Sequence, residues 1–235
     1  MHDSERRLKS VSANAAPIAS YGHDGLGRRV RKALPDGTHR KYVYDLDGRL
    51  IAERDEQNQP VRETIFVDGH PVAEMVGAPG STTIRYIHTD QIGLPRLMTD
   101  ASGAVIWDST FMPFGEQVSA TGSTSTDHRF QGQIADAHAG LYYNYFRDYD
   151  PTLGRYIQSD PIGLRGGLNR VIYVHANPLL GIDPRGLWNP VKGTVALINY
   201  GRGASQVVQG MIAASTGQPP QSSTVCIVWP RAMLV

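Results

Sequence analysis

Short runs in which apolar and polar residues alternate, broken at close intervals by turn chemistry, dominate this chain. Tyr42 and Tyr44 alternate with Val43. Thr64 to Val67 leads into Asp68-Gly69, and Ile84, Tyr86 and His88 share one face of a further run. Val105 and Trp107 are expected to share a face before Phe111. Asp36-Gly37, Asp47-Gly48 and Asp68-Gly69 suit tight hairpins, because Gly takes a positive φ without steric cost. One unit also repeats. His23-Asp24-Gly25-Leu26-Gly27-Arg28 returns loosely as Tyr44-Asp45-Leu46-Asp47-Gly48-Arg49, 21 residues later. In both, Asp bonds the backbone ahead of it, Gly completes the turn, and a strand-like run follows: Arg29 to Lys32, then Leu50 to Arg54. The spacing predicts stacked hairpins, each burying a face on its neighbours. The expectation is a polar segment over 1–20 and an antiparallel β region over 21–140, with Thr121 to Thr126 as an exposed loop.

The texture changes at Leu141. Tyr142, Tyr143, Tyr145, Phe146, Tyr149 and Tyr156 crowd into one window, which predicts rings packing between paired strands. A base-stacking surface would need more positive charge beside them than Arg147 and Arg155 supply. Residues 141–187 form a distinct core region, and 188–235 a tail. Within the tail Val195, Ile198, Val207, Val208, Met211 and Ile212 fall near helical spacing, although Gly201, Gly203 and Gly210 weaken a helix there.

Composition narrows the function classes. The 25 Gly and 15 Pro are spread through the chain, which favours many turns over long helices. Charge is balanced, 23 basic against 22 acidic residues for a net +1, so no general attraction to nucleic acid is expected. Arg28, Arg29, Arg31 and Lys32 make a basic group, read as a solvated strand edge because no stacking pattern accompanies it. The single Cys226 excludes an intrachain disulfide framework. No secretory leader and no uninterrupted apolar run of about 18 residues is visible. A membrane-active helix over 191–214 is an alternative use of the tail, but Lys192 and Arg202 make a buried span costly. No metal or cofactor is expected: the eight His form no His-Glu-x-x-His, and neither a Walker loop nor a Gly-x-Ser-x-Gly elbow occurs. His88 reads as a structural hydrogen-bonding residue.

The candidate chemistry lies in two near-identical units, Asp160-Pro161-Ile162-Gly163-Leu164 and Asp183-Pro184-Arg185-Gly186-Leu187. Asp-Pro-x-Gly is first of all a β-turn recipe. Two copies could also bring two carboxylates together on rigid turns. Carboxylates about 3 Å apart cannot both ionise, so one keeps its proton near neutral pH. The ionised partner could then draw a proton from water while the protonated one polarises a carbonyl.

Tyr86-Ile87-His88-Thr89-Asp90-Gln91-Ile92-Gly93-Leu94-Pro95-Arg96, Phe114-Gly115-Glu116, the run Arg147 to Tyr156, Ser159-Asp160-Pro161, Gly166 to Asn169 and Asn177-Pro178 resemble the Rhs-repeat-associated core of Rhs/YD-repeat proteins. The likeness covers residues 21–187 and not the tail. It implies a mainly β fold: a fragment of a YD-repeat β-shell with a C-terminal plug-like core, to which the spacing read above adds a short, helical tail. It further implies a self-cleaving aspartyl dyad, Asp160 and Asp183, assisted by Arg147 or, less favoured, Arg155, and cutting between Leu187 and Trp188. No cofactor is implied. The implied partners are the rest of the shell, its enclosed toxin segment, a secretion-system spike or adaptor and an immunity protein. The implied location is the bacterial cytoplasm, then delivery by a specialised system such as type VI secretion. A non-catalytic shell module is the alternative.

Overall fold

The computed structural model describes residues 1–78 and 80–187. The helical spacing of the tail, and Trp188 with it, lie outside the described residues. Eleven strands follow one another in a single antiparallel meander: β1 Ser10–Ala13, β2 Ala16–His23, β3 Arg29–Ala33, β4 His39–Tyr44, β5 Leu50–Arg54, β6 Pro60–Val67, β7 His70–Val76, β8 Thr83–Thr89, β9 Pro95–Thr99, β10 Val105–Phe111 and β11 Gln117–Gly122. A second sheet follows from β12 Ile134–Asp136, β13 Leu141–Asn144, β14 Arg147–Asp150 and β15 Arg155–Tyr156. Only two short 3₁₀ turns, Gly163–Gly166 and Val174–Ala176, interrupt the β structure among the described residues. The mainly β expectation therefore holds.

The repeat turns close as their residue types require. Asp24 Oδ1 accepts from the backbone N–H of Leu26 and Arg28, and Asp45 Oδ1 does the same for Asp47 and Arg49. The Arg four residues on then pairs with the same carboxylate, at 2.8 Å in the first turn and 2.6 Å in the second. Asp3 and Arg7 form a third such turn, 21 residues upstream of Asp24. This places strands within the first twenty residues, so the sheet starts before the expected Tyr21. Its apolar anchors there are few, a cluster of Leu8, Ala19 and Tyr21, which is why the segment reads as merely polar.

Three further expectations are corrected. A bulge between Val105 and Trp107 breaks their shared face: Val105 is exposed while Trp107 is buried. Thr126 closes the expected loop but is buried, donating its hydroxyl to Glu74 at 2.7 Å. The basic group is not a solvated edge, because β3 lies inside the sheet and Arg29 is buried. Its guanidinium bridges Asp136 of β12 at 2.8 Å and Asp148 of β14 at 2.9 Å, between the rings of Tyr21 and Tyr143. Arg29 thereby ties the second sheet onto the first.

His128, also buried between the sheets, is held by Thr64 at 3.0 Å. Burial pushes its imidazole down to about 3, with Arg62 and Arg129 adding. An unfolded histidine takes its proton near 6.5, so below that value the unfolded chain binds more protons and stability falls with pH. We expect His128→Gln to flatten this dependence by up to about 1.4 kcal/mol per pH unit between roughly pH 6 and pH 4.5. Urea unfolding at several pH values checks it, and equal slopes in both proteins would contradict it.

Candidate active site

The site is built by a hairpin and two turns. Strands β13 and β14 are joined by the two residues Tyr145 and Phe146, so that Asn144 and Arg147 pair directly across the hairpin. Tyr145 adopts φ 53°, a left-handed conformation that costs a non-glycine residue about 1 kcal/mol. Its ring lies where Gly48 of a repeat turn leaves room: a Cβ on Gly48 would stand 2.7 Å from it. The repeat sheet thus receives the hairpin that carries Asn144 and Arg147.

Both Asp-Pro-x-Gly units are β-turns. Gly163 N–H donates to Asp160 O at 3.0 Å, and Gly186 N–H donates to Asp183 O at 3.3 Å. Gly163 and Gly186 have φ of 65° and 62°. Asp160 Oδ1 accepts from Ile162 N–H at 3.0 Å, and Asp183 Oδ1 from Leu187 N–H at 2.9 Å. The two buried carboxylates meet on one guanidinium. Arg147 Nη2 lies 3.0 Å from Asp160 Oδ2 and 3.1 Å from Asp183 Oδ2. The other Arg147 donors reach backbone: Nε donates to Gly186 O at 2.5 Å, and Nη1 to Arg170 O at 3.2 Å. Arg155, the other candidate arginine, is exposed on β15.

Several partners were not legible beforehand. Tyr156 donates its hydroxyl to Asp183 Oδ2 at 2.8 Å, and its ring stacks under the Arg147 guanidinium at 3.6 Å. Asn144 donates to Tyr156 Oη at 2.7 Å and to Asp183 O at 2.9 Å. Tyr156 and Asn144 lie 27 and 39 residues from Asp183 in sequence, and no local pattern signals such contacts. The aromatic window gave the only hint. Tyr149, Tyr156 and Tyr173 pack edge to face or tilted, with centroids 5.0 to 5.9 Å apart, and wall the site.

One buried cation between two carboxylates leaves an uncompensated negative charge unless one of them holds a proton. Burial pushes the Asp183 carboxyl above the usual range, and the Asp160 charge works the same way, against Arg147, Tyr156 and the Leu187 N–H. The arrangement offers a protonatable carboxyl, a second carboxylate and a cation in one water-poor place. Among the described residues no group of three or more His, Cys, Asp or Glu could hold a metal. No helix among them is long and apolar enough to cross a membrane.

Residues 84–118 match the family model described as RHS protein. Toxin protein Tse5 of Pseudomonas aeruginosa is 32% identical over 81% of this chain, and Double-stranded DNA deaminase toxin A of Burkholderia cenocepacia is 38% identical over 88%. The chain belongs to the Rhs-repeat family. It spans 17% and 16% of the length of those two relatives, both of them toxins. Its fold is that of a chain in the Photorhabdus luminescens Tc holotoxin pore, with a TM-score of 0.65 over 81% of this chain and 10% of that one, at 22% identity. The Rhs match falls on β8 to β11, away from the two Asp-Pro turns.

Proposed function

We propose that this Rhs segment cuts its own chain between Leu187 and Trp188, freeing residues 188–235 from the scaffold. The observation that carries the reading is the shared grip of Arg147 on Asp160 and Asp183, with its third donor on the carbonyl of Gly186, one residue before the cut. Burial favours the protonated form of the Asp183 carboxyl. In the proposed step the ionised carboxylate takes a proton from water as the water oxygen bonds to the Leu187 carbonyl carbon. The protonated carboxyl gives its proton to the carbonyl oxygen. The tetrahedral diol collapses as the C–N bond breaks and a proton passes to the Trp188 nitrogen. Arg147 compensates the charge of the pair throughout.

In this reading 21–140 is a stretch of repeat shell, 141–187 the self-cleaving core, and 188–235 the segment in the toxin position, with 1–20 leading in. The rest of a shell, a delivery machine and an immunity protein are its proposed partners, since the two relatives are toxins and far longer. The test follows full-length protein at neutral pH by intact mass. Loss of the tail in native protein, absent when the chain is kept in denaturant, supports the reading. A chain that stays whole under both conditions contradicts it and leaves a non-catalytic shell module.

A further inference from the structure

Two carboxylates on neighbouring turns could serve more than one nearby peptide bond, so the position of a cut needs its own cause. The Gly186–Leu187 peptide is held at both ends. Its carbonyl accepts from Arg147 Nε at 2.5 Å, and its N–H donates to Asp183 Oδ1 at 2.9 Å. Gly186 is buried at φ 62°, and a Cβ there would stand 2.6 Å from the Asn144 carbonyl oxygen and 3.3 Å from Arg147 Cβ and N. Asn144 in turn donates to Asp183 O, so the turn is fastened from both strands of the hairpin. It can neither rotate nor slide by a residue without losing these contacts.

We propose that this grip is a register device, in which Gly186 is the positioning residue that fixes the cut at the peptide bond after Leu187; the proposal rests on the autocleavage reading. The held bond is itself a poor target. Its N–H faces an acceptor oxygen and not a proton donor, and the surroundings of Gly186 are closed. Leu187 is only half-buried, so its peptide is the first beyond the grip. In this account the tail contributes nothing to the choice of bond.

The test uses the full chain at neutral pH, with the released piece identified by mass and N-terminal sequence. Wild type releases a piece starting at Trp188. With one alanine inserted between Leu187 and Trp188, the piece starts at that alanine. Gly186→Ala slows release by roughly a hundredfold, the size of effect expected when reacting groups are misplaced by about 1 Å. Should Gly186→Ala fail to unfold cooperatively, the insertion arm decides alone, since it leaves the described turn unchanged. A cut that stays directly before Trp188 in the insertion variant shows that the tail sets the register, and overturns the proposal while leaving autocleavage standing. So does Gly186→Ala cleaving at the wild-type rate in a folded chain, or a wild-type piece starting at Leu187. An uncleaved wild type removes the autocleavage reading and this proposal together.

Discussion

Asp160→Asn and Asp183→Asn are each expected to leave the chain at full length under conditions that cleave the wild type, with the rate down by about 100- to 10,000-fold. Asparagine keeps the shape of the side chain and an acceptor oxygen, so each turn can still close on Ile162 or Leu187 N–H. What is lost is the ability to exchange a proton with water or carbonyl. The double variant should be no slower than the worse single variant, because the two carboxyls act as a unit. Intact mass over time measures this. Unchanged cleavage in either variant would mean that the pair is structural, Arg147 merely neutralising two buried acids.

The second large effect falls on stability. Arg29 bridges Asp136 and Asp148, all three residues nearly inaccessible to solvent. Although burial works the other way, Arg29 and Lys32 hold the Asp136 carboxyl below the usual range. Burial raises Asp148, with Arg29 opposing it. Arg29→Met keeps most of the volume and removes the charge. Asp136 retains Lys32 at 2.7 Å, but Asp148 keeps no arginine or lysine salt bridge among the described residues, only the Gln158 hydrogen bond at 2.7 Å and the field of His2. Stripping one partner from a buried ion pair costs about 3 to 5 kcal/mol, a large share of the stability of an ordinary domain. A drop of that order in urea unfolding is expected, with loss of cleavage following from the loosened second sheet. A change below about 0.5 kcal/mol, typical of a surface substitution, would contradict the role given to Arg29.

What could be read in advance divides along the length scale of the interactions. The repeat turns, the hairpin glycines and both Asp-Pro-x-Gly turns are local, and each is encoded within about five residues by Asx bonding, proline and a positive φ. These were legible. The meeting of Asp160 with Asp183 was suggested by the duplication of the turn and by the family resemblance, and Arg147 only by the family resemblance. Arg29 was misread because a run of four basic residues looks solvated unless the acidic partners are known, and these lie 107 and 119 residues away. Asn144 and Tyr156 were invisible as partners of Asp183 for the same reason. The bulge at Val105 and Trp107 shifts a face by inserting one residue, a change that alternation alone does not reveal.

The most direct test of the central claim is the N-terminal sequence of whatever piece the wild-type chain releases. Asp-Pro bonds break in acid without any active site, so spontaneous breakage would give a piece starting at Pro161 or Pro184, would worsen as pH falls and would survive denaturation. The account predicts instead a single new terminus at Trp188, produced by native protein at neutral pH and absent from denatured protein. A terminus at Pro161 or Pro184 would contradict it.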